Sequence, residues 1–151
     1  MAEKNEKTKT SEDVKVVSDS VSFSESADVI LVRSPLRFLG DIIAQKRFLE
    51  GVVVSVMYFE RFGTSKLQEY FKSKGIRLEP MKLQNMHLSK IMAMLEGFDL
   101  IDHRTHSLMG EVCKERNEIV HELSHPDAIN EDKAKETIEK AIECLKALGA
   151  N

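Results

Sequence analysis

From Pro35 onward apolar residues recur at a spacing near 3.6, the mark of amphipathic helices rather than strands. In "PLRFLGDIIAQKRFLEGVVVSVMYFERFG" the positions Phe38, Ile42, Leu49, Val53, Val56 and Met57 follow this period, and Lys46 and Glu50 form an i,i+4 charge pair. The run Val52–Val54 is β-branched and conflicts locally, but segment length and flanking charge favour helix. Gly63 is read as its end. Ser65 then opens a short helix, with Gln68 at the capping-box position and Gly75 as its stop. Pro80 fits the first position of a helix whose Leu83, Met86, Ile91, Met94 and Leu95 line one side, and Gly97 ends it. "FDLID" is a short connection, and Asp102 caps a helix running to about His125, where Pro126 forbids continuation. Asn130 caps a last helix with Ala134, Ile138, Ala141, Leu145 and Leu148 on one face and Gly149 at its end.

These elements predict an all-α fold: an up-and-down bundle of four or five helices over residues 28–151, with no internal repeat. Residues 1–27 are rich in Ser, Lys, Glu and Asp, carry little periodic apolar signal and read as a flexible polar tail. "SADVILVRSP" allows a short extended segment before Pro35.

The 151 residues, 42% hydrophobic and 31% charged, suit one soluble domain able to bury a core without staples. The longest apolar run, "GVVVSVMYF", is half of what a membrane span needs, and the N-terminus lacks the apolar stretch of a signal peptide. Cys113 and Cys144 lie in apolar periodic segments and read as free thiols of a reducing, cytoplasmic setting. No Cys/His cluster with zinc spacing is present, so neither a structural metal nor a cofactor is expected. His87, His103 and His106 read as surface or packing residues, and the seven methionines as core filler.

The net charge of −3 resides wholly in residues 1–28, which hold four Lys against seven acids. Residues 61–90 carry seven Lys/Arg against two acids, an excess of five that could face phosphates or form a solvated surface.

The most informative stretch is "HRTHSLMGEVCKERNEIVHELSH". Its apolar stripe runs Leu108/Met109, Val112/Cys113, Ile119/Val120, Leu123, and Arg116 fills the missing rung. A guanidinium cannot shed its proton, so in an apolar seam it needs an acceptor or a route to water. On the first long helix the stripe Leu49, Val53, Val56 continues to Glu60, which makes a Glu60–Arg116 pair the first expectation and Glu50 the alternative. Asn117 and His121 are four apart, on one face, so that Asn117 can orient the imidazole, with Ser124 and His125 following. Arg116 and His121 diverge by about 140° around the helix, and a two-fold partner could supply the converging groups.

"RNEIVH" resembles the motif of the HEPN superfamily of helical domains, in which an arginine, often followed by Asn, precedes a histidine near the end of a late helix. "IMAMLEGFDLID" and "VMYFERF" resemble the preceding family helices, and the likeness covers roughly residues 36–148. It implies a homodimeric, metal-independent endoribonuclease in which the ribose 2′-OH attacks the adjacent phosphate. It also implies His121 as general acid/base, Arg116 on the phosphate and Asn117 orienting or touching substrate; Glu60, Ser124 and His125 are the supporting residues that the helix pattern offers beside them. Such domains include toxins of toxin–antitoxin pairs, so RNA or a nucleotide, an antitoxin and a nucleotidyltransferase are the partners implied. The mannitol-repressor-like helical proteins are similar around "RN…H" and imply instead a non-catalytic binding or regulatory module. Without either family, Arg116 would be a packing residue paired to Glu60 and His121 a surface histidine.

Overall fold

A computed structural model of the chain describes residues 34–77, 79–122 and 130–151, and all regular structure among them is helical. Ser34 caps α1 (Pro35–Ala44), its hydroxyl accepting from the Arg37 amide at 3.5 Å with proline at the first helical position. α2 (Phe48–Ser73) is the longest element, followed by a single turn, α3 (Pro80–Gln84), then α4 (Leu88–Gly97), α5 (His103–Glu122) and α6 (Glu131–Ala147). The expected tail, the extended segment before Pro35 and the end of α5 beyond Glu122 lie outside the described residues.

Two expected boundaries move. The chain breaks at Lys46, whose φ of 56° is left-handed, so α1 and α2 are separate helices and the Lys46–Glu50 pair does not form. Glu50 is held by Arg47 instead, at 2.8 and 2.6 Å. The break also frees the phase of α2. Its buried face is Val52, Val56, Phe59, Gly63 and Leu67, while Val53 and Met57 are exposed and Leu49 half-buried. Conversely, Gly63 ends nothing, and Ser65 opens nothing: α2 continues to Ser73. Gly63 is there for close approach, because a Cβ would lie 2.8 Å from Ile91 Cγ2 and 3.3 Å from Leu95 Cδ1. Gly51 likewise lets Ile138 and Ile42 close on α2. The true stop is Gly75, at φ +71°, where the Ile76 amide donates back to Phe71 O at 2.9 Å. The expected helix from Pro80 is split at Asn85–His87, leaving Leu83 buried on α3 and Ile91, Met92 and Leu95 buried on α4, with Met86 and Met94 half-buried.

α2 is the axis on which the other helices pack. Phe38 meets Tyr58 edge to face at 6.4 Å, so α1 runs antiparallel to α2. Gly63 faces Ile91 and Leu95, and Tyr70 stacks on Phe98 at 4.9 Å, so α4 runs parallel to α2. Strict up-and-down order therefore fails at this step, where residues 74–87 return the chain. α5 comes back antiparallel, and α6 lies antiparallel to α5, with Arg104–Glu143 at 2.8 Å near one end and Lys133–Glu118 at 3.1 Å near the other. The α6 face is as expected: Ala134, Ile138, Ala141, Leu145 and Leu148 are all buried, and Asn130 accepts from the Lys133 amide at 3.1 Å. No helix among the described residues is long and apolar enough to cross a membrane.

Candidate functional site

α5 carries the arginine motif because of its own seam. Thr105, Met109, Val112 and Ile119 are its buried residues, spaced four and three apart, and position 116 is the rung between the last two. Arg116 occupies it half-buried. The expected carboxylate partner is not there. Glu60 is exposed, Glu50 is taken by Arg47, and among the described residues no ion pair joins either to Arg116. The phase shift of α2 explains this, since Glu60 rides with the exposed Val53 and Met57 rather than with the core face. Arg116 and Glu60 do share a neighbour: burial pushes the Cys113 thiol up, the Arg116 charge pulls it partly down, and the Glu60 charge adds to the rise.

Asn117 and His121 are both exposed, and among the described residues no hydrogen bond joins them. The expected orienting bond is therefore absent within one chain. Val120 is exposed and sits on the helix surface beside Arg116 and Asn117. Val53 and Met57 on α2 are exposed as well, so apolar side chains lie open on both helices. Ser124 and His125 lie outside the described residues.

On its other side α5 is laced to α6. Lys133 reaches Glu115 at 2.5 Å and Glu118 at 3.1 Å, and Lys140 reaches Glu111 and Glu136 at 3.0 Å. Hydrogen bonds from Lys133 hold the Glu118 carboxyl below its ordinary value, and those to Glu115 and Glu118 hold Lys133 above its own. These acids line a shallow pocket of about 230 Å³ and are engaged by the two lysines. Cys144 is fully buried, its thiol pushed up to about 12 by burial, and is no nucleophile.

The basic stretch 61–90 does not form one phosphate track. Lys66 donates to the carbonyl of Ala147 at 3.4 Å, Lys74 lies 5.6 Å over the Tyr70 ring, and Lys82 pairs with Glu79 at 3.5 Å. Lys72 and Arg77 line a surface cleft of about 890 Å³ with Phe71 and Ile76, at the end of α2 remote from Arg116.

Sequence reasoning missed a third cluster. Glu96, in the last turn of α4, meets His103 Nδ1 with one carboxylate oxygen at 2.7 Å and His106 Nδ1 with the other at 2.6 Å. Both rings share one face of α5 because they are three apart. That spacing was visible in the sequence, but the carboxylate on another helix was not.

Compared with protein-family models, with curated proteins and with solved structures, the chain matches none.

Proposed function

We propose that this protein is a HEPN-like, metal-independent endoribonuclease that acts as a homodimer through Arg116, Asn117 and His121. The observation that carries the reading is the half-buried guanidinium of Arg116, which fills a rung of the core seam with no carboxylate paired to it among the described residues. An arginine left unneutralised keeps its donor fork for phosphoryl oxygens. His121, exposed one turn and a half later, is accessible to substrate, and an imidazole can serve as general acid or base. In the reaction an imidazole takes the 2′-OH proton and the oxygen attacks the adjacent phosphorus. The 5′-oxygen then leaves with a proton from a second imidazole, giving a 2′,3′-cyclic phosphate and a 5′-hydroxyl. Arg116 offsets the charge on the phosphorane oxygens, and Asn117 contacts the substrate.

One copy holds a single His121, directed away from its Arg116. A second copy seated on the exposed Val53, Met57 and Val120 supplies the other imidazole, and these apolar residues are its natural contact. Within this reading an antitoxin or a nucleotidyltransferase is a protein partner that would cover the same surface.

The test is cleavage of mixed RNAs in EDTA by wild type, His121→Ala and Arg116→Ala, with products analysed for cyclic phosphate, and with mass in solution measured alongside. The expected result is a dimer whose cleavage falls by about 10²–10⁴-fold on loss of the imidazole. Equal cleavage by wild type and His121→Ala rejects the reading. Wild type that leaves RNA intact but gains thermal stability from nucleotide or RNA selects the binding-module alternative, which the absence of an Asn117–His121 hydrogen bond among the described residues favours.

A further inference from the structure

We propose that Glu96, His103 and His106 form a binding site for one divalent ion of the zinc class at the corner between α4 and α5. One carboxylate oxygen and two imidazole nitrogens, drawn from separate helices, lie within 4.8 Å of one another. A tetrahedral ion with bonds of about 2.0–2.1 Å holds its donors roughly 3.4 Å apart. Small side-chain rotations therefore convert two N–H···O contacts into three metal bonds. The charge balance suits this. With neutral rings the cluster carries −1, and coordination at Nδ1 moves each ring proton to the outer Nε2, where water accepts it. The neighbouring Asp102 carboxylate adds negative charge while accepting from the Thr105 amide at 2.7 Å.

The frame under the donors is fixed. Leu95 and Ile101 are buried, the Leu100 amide donates to Leu95 O at 2.8 Å, and Asp99 closes the turn at a left-handed φ of 56°. Donors at the end of one helix and the start of the next are thus held close without metal. The His103 side chain is 87% exposed, so water completes the coordination and the ion can exchange. Two imidazoles with one carboxylate select Zn²⁺, Co²⁺, Ni²⁺ or Cu²⁺ over Mg²⁺ and Ca²⁺, which prefer all-oxygen shells. The site lies about 15 Å along α5 from Arg116, ten residues away, and is independent of the ribonuclease reading.

The test uses the full chain without an affinity tag, stripped with chelator and dialysed. Co²⁺ is titrated by its visible absorption, Zn²⁺ by competition, and melting is followed with Zn²⁺ and with Mg²⁺. One Co²⁺ per chain is expected, displaced by Zn²⁺, together with a melting temperature raised by Zn²⁺ and not by Mg²⁺. His103→Ala, at an exposed position that cannot threaten the fold, should weaken binding at least about tenfold, the least that loss of a supporting group costs in metal sites. His106→Ala and Glu96→Gln should do the same. Absence of a Co²⁺ spectrum and of a Zn²⁺ shift overturns the proposal. So does binding equally tight in His103→Ala, or an equal response to Mg²⁺.

Discussion

At its N-terminal end α5 presents His103 and His106 to a carboxylate of the preceding helix, within hydrogen-bond distance on both sides. At its C-terminal end the same helix presents Arg116, half-buried, with Asn117 and His121, both exposed, and no hydrogen bond joins these three among the described residues. The first end is complete in a single copy and carries no familiar motif. The second carries the motif and shows no such contact among the described residues. The difference teaches that residue spacing reports which side chains share a helix face, whereas a site needs groups from different elements to converge. At the α4–α5 corner a five-residue connection forces that convergence. At the other end no carboxylate pairs with Arg116 among the described residues, and Val53, Met57 and Glu60 of α2 are all exposed.

The largest effect expected at the C-terminal end is on chemistry. His121→Ala should lower RNA cleavage by about 10²–10⁴-fold at unchanged melting temperature, since the ring is exposed and unbonded among the described residues. Equal activity would reduce that end to a bare surface. Next is the seam both ends share. Met109 is fully buried midway along α5, and Met109→Ala should cost about 2–5 kcal/mol in denaturant unfolding. A cost below 1 kcal/mol would mean that the seam does not hold the two ends in one unit. Asn130→Ala removes the side-chain cap of α6 and should cost about 0.5–2 kcal/mol, loosening the helix that buttresses α5.

Arg116→Leu sharpens the comparison further. If the rung is held cationic for phosphate and not for packing, leucine should leave stability within about 1 kcal/mol of wild type, or raise it, while cleavage is lost. A large destabilisation would return Arg116 to a packing role. The smallest effect belongs to the charges between α5 and α6. Lys133→Met should cost less than about 1 kcal/mol because Lys133 is largely exposed, and the loss should shrink in high salt. Its pH window has a definite sign. Glu118 is held low, so its contribution is present above the ordinary carboxylate value and lost as pH falls through the lowered one. Lys133 is held high, so its contribution is present below the ordinary lysine value and lost as pH rises through the raised one. Wild type and Lys133→Met should therefore converge in stability at both acid and strongly alkaline pH.

Much of the helical layout was legible. Pro35, Pro80, Asp102, Asn130, Gly75 and Gly149 mark ends through local backbone chemistry, which neighbouring residues alone dictate, and the face of α6 follows from its period. Gly63 misled, because glycine serves both as a stop and as a place where helices touch, and only the presence of Ile91 and Leu95 across the interface distinguishes them. The Lys46 break misled in the other direction: nothing in "IIAQKRF" forbids a continuous helix, yet α1 must fold back for Phe38 to reach Tyr58. That one turn rotated Val53, Met57 and Glu60 out of the core and removed the partner expected for Arg116.

By itself the sequence determined the all-helical class, most helix ends and the rung on which Arg116 sits, since propensity, capping and period act over a few residues. Only tertiary packing decided the phase of α2, the parallel course of α4 and the meeting of Glu96 with His103 and His106. Those depend on which surfaces far apart in the chain exclude water together, and no local spacing encodes that.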